Sequence, residues 1–157
     1  KLRVIWNTGV EISTVEFCAN LIEVGNVWRT SEWELEAAIN GKTAAVAYFV
    51  LNPQPGLLPP QDVVSIGKKR GIPVIVDAAG ELPSAENLKT FISLGADLVV
   101  FSGGKQIAGP SDSGILCGQS YLVEGDINSE KSFRMTFHSW KTSRLKASKR
   151  EYRSIGS

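Results

Sequence analysis

Cysteine is scarce in this chain: there are two in 157 residues, Cys18 and Cys117, far apart and without the paired spacing of metal ligands. That excludes a disulfide framework and a cysteine-based zinc site. Cys117 lies in the apolar run Gly114-Ile115-Leu116-Cys117 and reads as a buried free thiol. The one histidine, His138, falls in a polar stretch near the carboxyl end and is assigned no role. Long hydrophobic runs are also missing. The longest, Ala44 to Leu51, is well short of the roughly 20 residues a membrane helix needs. The segment Lys1-Leu2-Arg3-Val4-Ile5-Trp6-Asn7 has no apolar core followed by small residues, so nothing resembles a secretory signal. A soluble chain in the cytoplasm, with no membrane partner, is the expectation. No repeat recurs at a fixed period. The four tryptophans, Trp6, Trp28, Trp33 and Trp140, are scattered and read as packing residues rather than a ligand cage.

Net charge is small, +1, but it hides an asymmetry. Residues 1–130 carry 9 basic and 15 acidic side chains, whereas residues 131–157 carry 8 basic and 1 acidic, with six serines and no clear period. A block of this kind is either a solvated tail or a phosphate-binding arm. The whole chain is 43% hydrophobic, and a chain of this length buries roughly two thirds of its unfolded surface, enough for one core.

From residue 30 onward helical and apolar segments alternate. Thr30 to Ile39 opens on hydroxyls and an acidic first turn, which predicts a helix. Thr43 to Val50 is continuously apolar, as a strand covered on both faces should be, and Asn52-Pro53-Gln54-Pro55-Gly56 ends it. Pro60 to Gly71 has proline in its first turn, late cations and a closing glycine, and predicts a second helix. Ile72 to Val76 predicts a strand ending at Asp77, Ser84 to Gly95 a third helix, and Asp97 to Val100 the next strand, leading into Phe101-Ser102-Gly103-Gly104-Lys105. Residues 1–29 suggest one more helix and one strand, Leu21-Ile22-Glu23-Val24, with the first strands of a complete sheet absent.

Strands separated by single helices pair in parallel, with right-handed crossovers, and ligands sit beyond their carboxyl ends. Asn52, Asp77, Ser102 and Lys105 are therefore expected to converge on one crevice. A lysine amine becomes a carbonyl nucleophile where its protonated form is disfavoured, and an aspartate stabilises a cationic ring nitrogen close to it. Small residues after Asp77, namely Ala78-Ala79-Gly80, leave room for a flat ring. Ser102 with the Gly103 and Gly104 amides suits phosphate oxygens. The spacing alone does not choose among strand-edge ligands.

The stretches Pro73 to Ala79, Glu81-Leu82-Pro83, Glu86-Asn87-Leu88 and Leu94 to Lys105 closely resemble the selenocysteine synthase-like family, which includes D-glucosaminate-6-phosphate ammonia lyase-like proteins. Both groups are fold type I, aspartate aminotransferase-like, pyridoxal phosphate enzymes. The resemblance covers about residues 23–118 and includes Gly109-Pro110 and Ser113-Gly114-Ile115-Leu116. It implies an α/β fold, a three-layer helix-sheet-helix with a mostly parallel sheet, of which residues 1–118 form part of the large domain; beyond it 119–157 reads as a divergent basic tail, disordered or aberrant, without the strands and helices of a small domain. It implies pyridoxal 5'-phosphate as cofactor, Lys105 as the Schiff-base lysine, Asp77 as partner of the pyridine nitrogen, Ala79 against the ring face and Ser102 on the phosphate, joined by Gly103 and Gly104. Asn52 is implied at the ring hydroxyl. Where related proteins carry an arginine and a glutamine, this chain has Ala108-Gly109-Pro110-Ser111.

The function so implied is elimination or β-replacement on a small amino acid-like substrate, first a 6-phosphate amino sugar acid, in a homo-oligomer. A seryl-tRNA(Sec) selenium transferase-like protein is the alternative, with the basic tail on RNA phosphates. A non-catalytic remnant or interaction protein is the other.

Overall fold

The computed structural model describes residues 2–6, 19–26, 28–50, 55–82, 84–110, 113–124 and 133–139. Its strands are β1 (Leu2–Trp6), β2 (Ala19–Glu23), β3 (Thr43–Phe49), β4 (Val74–Asp77), β5 (Leu98–Ser102), β6 (Ser113–Gln119) and β7 (Phe133–Ser139), joined in one sheet of order β2-β1-β3-β4-β5-β6-β7. The pairs from β2 through β5 are parallel, and β5–β6 and β6–β7 are antiparallel. The helices are α1 (Glu32–Ala38), α2 (Pro60–Arg70), α3 (Asn87–Leu94) and α4 (Ser120–Glu124). The mostly parallel α/β sheet with flanking helices is the expected architecture.

Local signals set the helix ends. At α1 the Ser31 N–H donates to Glu34 Oε2 at 2.8 Å, half of a capping box. At α2, Pro60 occupies the first turn and Gly71 closes the helix in the left-handed region, φ 68°. Its late cations are tied down, with Lys69 and Arg70 lying 3.2 and 3.4 Å from the Glu36 carboxylate of α1. The third helix starts later than expected from Ser84. Residues 84–86 bond in the tighter i to i+3 pattern, with Asn87 N–H on Ser84 O and Leu88 N–H on Ala85 O, so regular α-helix begins only at Asn87.

The chain order β3, β4, β5 steps across the sheet in one direction, and right-handed crossovers put α2 and α3 on one face. There α1 meets α2, α2 meets α3, and together they cover β3 to β6. Register rows on this face, such as Val46–Val74 and Val76–Val99–Cys117, meet Leu35, Val63, Val64, Ile66 and Phe91 in a core that also holds Ile5 and Phe101.

One expectation is corrected. Among the described residues, 1–29 contribute two strands rather than one, and β1 stands inside the sheet between β2 and β3, so the strands thought absent are partly present, while the helix expected in this stretch lies outside the described residues. Beyond Gly118 regular structure continues: β6 runs to Gln119, α4 follows, and β7 pairs with β6 from Ser113–Ser139 to Gln119–Phe133. Basic composition concealed a strand whose place depends on a partner far away in sequence.

At the amino edge of the sheet Asp97 ties three strands. Its Oδ2 accepts the Val74 N–H at 2.8 Å, its own N–H donates to Val74 O, and its carbonyl accepts the Gln119 N–H. Removing a charged acceptor from a half-buried amide costs about 1–3 kcal/mol. Asp97→Ala is expected to lower the unfolding free energy by that amount, read as a fall in the urea midpoint, and Asp97→Asn to recover part of it. Equal midpoints for Asp97→Ala and the wild type would count against this tie.

Candidate active site

Because β1, β2, β3, β4 and β5 run in parallel, their carboxyl ends lie along one edge, and Phe49, Asp77 and Ser102 are the last residues of three adjacent strands. In register Asp77 stands between Phe49 and Val100, with Ser102 two positions further on. Side chains alternate between faces along a strand, so this row belongs to the face opposite Val76 and Val99. Pairing continues past the strand end: Val50 N–H donates to Asp77 O at 2.9 Å and Ala78 N–H to Val100 O at 2.8 Å. The edge is therefore a continuation of the sheet rather than a loose loop.

The half-buried Asp77 carboxylate accepts the Ala79 N–H at Oδ1, 3.0 Å away, which fixes the side chain on its own turn. Oδ2 has no partner among the described residues. Ala78 is buried beneath this turn and Ala79 half-buried upon it.

After Ser102 the chain makes a loop that returns as β6. Gly103 N–H donates to Ser113 O at 2.8 Å, and Gly109 N–H to Gly103 O at 2.8 Å. Inside this tie Ala108 N–H donates to Lys105 O at 3.0 Å, closing a turn with Lys105 exposed at its start. Ala108 has φ 55°, the left-handed region that a non-glycine residue occupies at a cost of about 1–2 kcal/mol. Lys105 makes no ion pair among the described residues.

The structure thus brings Asp77, Ala79, Ser102, Gly103, Gly104 and Lys105 to one edge of two neighbouring strands. Asn52 lies outside the described residues. Gly103 has another reason to be glycine than the expected one. Its N–H is taken by Ser113, and a Cβ there would collide with Ser113 Oγ and sit 2.9 Å from Ser113 O. The donors left for an anion are the Ser102 hydroxyl and the Gly104 N–H, neither partnered among the described residues. Ser113 itself was not singled out from the sequence, because only the returned loop sets it against Gly103.

Tyr48 and Cys117 stand in register with Val76 and Val99 and so belong to the opposite face. Burial pushes the Tyr48 phenol up, and pushes the Cys117 thiol up to about 11. Both stay neutral near pH 7, and Cys117 is buried and free, as its apolar run suggests. An open cleft of about 220 Å³ lies at the far, amino edge among Lys68, Pro73, Asp97 and Tyr121, away from Asp77. No cluster of three metal-ligating side chains occurs among the described residues, and none of their helices is long and apolar enough to cross a membrane.

A carboxylate with one free oxygen, an anion site of hydroxyl and amide, and a primary amine suit a ligand combining a protonated ring nitrogen, a phosphate and a carbonyl. Residues 11–144 match the aminotransferase class-V family. D-glucosaminate-6-phosphate ammonia lyase of Salmonella typhimurium (strain 14028s / SGSC 2262) is 39% identical over 105 residues, 66% of this chain and 27% of that protein. 5'-C-glycyluridine monooxygenase-decarboxylase of Streptomyces sp is 39% identical over 106 residues, 65% and 25% of the two chains. L-seryl-tRNA(Sec) selenium transferase of Aquifex aeolicus (strain VF5) is 36% identical over 123 residues, 68% and 26%. A solved structure of D-glucosaminate-6-phosphate ammonia-lyase has a TM-score of 0.62 to this one at 30% identity, covering 78% of this chain and 34% of that one. The chain spans about a quarter of the length of these curated relatives.

Proposed function

The chain belongs to the aminotransferase class-V family, within the fold type I pyridoxal phosphate enzymes, and from that premise we propose that its β4–β5 edge holds pyridoxal 5'-phosphate on Lys105. The observation that carries this is the half-buried Asp77 carboxylate, fixed at Oδ1 and, among the described residues, free at Oδ2. It suits a pyridinium N–H. Asp77 keeps the proton on the ring nitrogen, because an opposite charge in a poorly hydrated place favours the charged form. Ser102 Oγ and the Gly104 N–H donate to phosphate oxygens, Ala79 faces the ring, and Asn52 serves the ring hydroxyl. Gly103 contributes the space that lets the loop close. When bound, the cofactor supplies the electron sink for a carbanion at the substrate Cα. Lys105 Nζ takes the Cα proton as general base.

The reaction this supports is elimination or β-replacement on a small amino acid-like substrate, with a 6-phosphate amino sugar acid as first choice, after the ammonia lyase relative. The selenium transferase relative and the 8 basic residues of 131–157 favour a second substrate, a seryl-tRNA. Ala108-Gly109-Pro110-Ser111, standing where related proteins carry an arginine and a glutamine, favours cofactor binding without turnover of substrate. Family resemblance supports a cytoplasmic homo-oligomer for the active form.

The test adds pyridoxal phosphate to the chain, reads absorption in the visible, traps the adduct with borohydride and maps the modified lysine. Trapping at Lys105 is expected, with no ammonia released. Label spread evenly over exposed lysines such as Lys68, Lys69 and Lys89 would sink the assignment.

A further inference from the structure

Ser113 stands 4% exposed at the start of β6, and each of its polar groups is committed to the loop that carries Lys105. Its carbonyl accepts the Gly103 N–H at 2.8 Å. Its N–H and Oγ both donate to Pro110 O, at 3.0 and 2.7 Å. Its hydroxyl also fills a notch between two glycines: a Cβ on Gly103 would collide with Oγ, and a Cβ on Gly109 would stand 3.5 Å from it. Gly103 and Gly109 are themselves joined by the Gly109 N–H to Gly103 O bond at 2.8 Å. The Lys105–Ala108 turn lies inside that bond, in a ring closed at 103 and 109 and backed by Ser113.

We propose that Ser113 is a positioning residue for Lys105, its hydroxyl clasping the base of the loop so that the lysine turn is held before any ligand arrives. The physical reason is entropic. Fixing a loop residue costs about 1–2 kcal/mol of backbone freedom, and a loop tied in advance does not bear that cost when its amine meets a carbonyl. This rests on Lys105 as the reacting amine.

The measured step is condensation of the Lys105 amine with the aldehyde of pyridoxal phosphate, in which one C=N bond forms and one water leaves. Ser113→Ala is expected to slow that step about five-fold, the factor one ordinary hydrogen bond carries. Amide exchange at Gly103 and Gly109 should quicken by a similar factor. The rate against pH should keep its midpoint, because the amine is untouched, while the plateau falls; loss of global stability alone would not produce that split. An unchanged condensation rate in Ser113→Ala would overturn the clasp. So would exchange at Gly103 and Gly109 in the wild type as fast as at Gly104, a measurement that stands even if the variant does not fold. If wild-type label never maps to Lys105 while Gly103 and Gly109 are protected, the lysine assignment fails and the clasp remains as a loop tie only.

Discussion

Lys105→Ala is expected to remove the borohydride-trapped adduct almost completely while leaving the urea unfolding midpoint where it was. The two halves of that result come from different properties of one side chain. Lys105 is exposed and, among the described residues, forms no ion pair and bonds only through its backbone carbonyl, which alanine keeps. Surface substitutions of this kind change stability by no more than about 0.5 kcal/mol. The chemistry, in contrast, depends on a primary amine that loses its proton and attacks a carbonyl, and alanine has none. Lys105→Arg sharpens the point: it retains the charge but cannot deprotonate near neutral pH, so it is equally inert toward the aldehyde. A Lys105→Ala protein that still develops the wild-type band would end the proposal.

Much of the frame that carries this site is visible in the order of residues. The apolar runs of β3, β4 and β5 are bounded by proline, glycine or aspartate, and the turn of α2 is spelled by Pro60 and Gly71, so strand, Asp77, helix, strand, Lys105 reads off locally. The resemblance across residues 23–118 agrees with the family match over 11–144. What stayed hidden depends on distant partners. In β1 the run Leu2-Arg3-Val4-Ile5-Trp6 is short and carries a cation, and only its pairing with β2 and β3 makes it a strand. In β7 the polar, basic surroundings mask seven residues that pair in unbroken register with β6. The start of α3 moved because Ser84 opens an i to i+3 turn instead of a cap. Gly103 was legible as a glycine that matters but not for its reason, since its N–H and its missing Cβ both answer to Ser113, ten residues on.

Phe101→Ala is expected to cost about 3–5 kcal/mol, because it deletes one of the largest fully buried side chains and leaves a cavity that a packed sheet cannot close. Phe101 is 0% exposed, paired with Ile115 of β6, and sits on the helix-covered face one residue before Ser102. A domain of this size is stable by only about 5–15 kcal/mol, so one ring accounts for a large share. The urea midpoint should drop steeply, and Phe101→Leu should restore most of it. Condensation at Lys105 should fall in proportion to the unfolded fraction, since Asp77 and Ser102 occupy the opposite face of the sheet from the lost ring. That pattern is the inverse of the one for Lys105→Ala, where chemistry vanishes and the fold stays. If Phe101→Ala kept its midpoint, the core would not be organised around the β5 residues that deliver the lysine loop. If it lost condensation while fully folded, the two faces of β5 would be coupled more tightly than their separate packing implies.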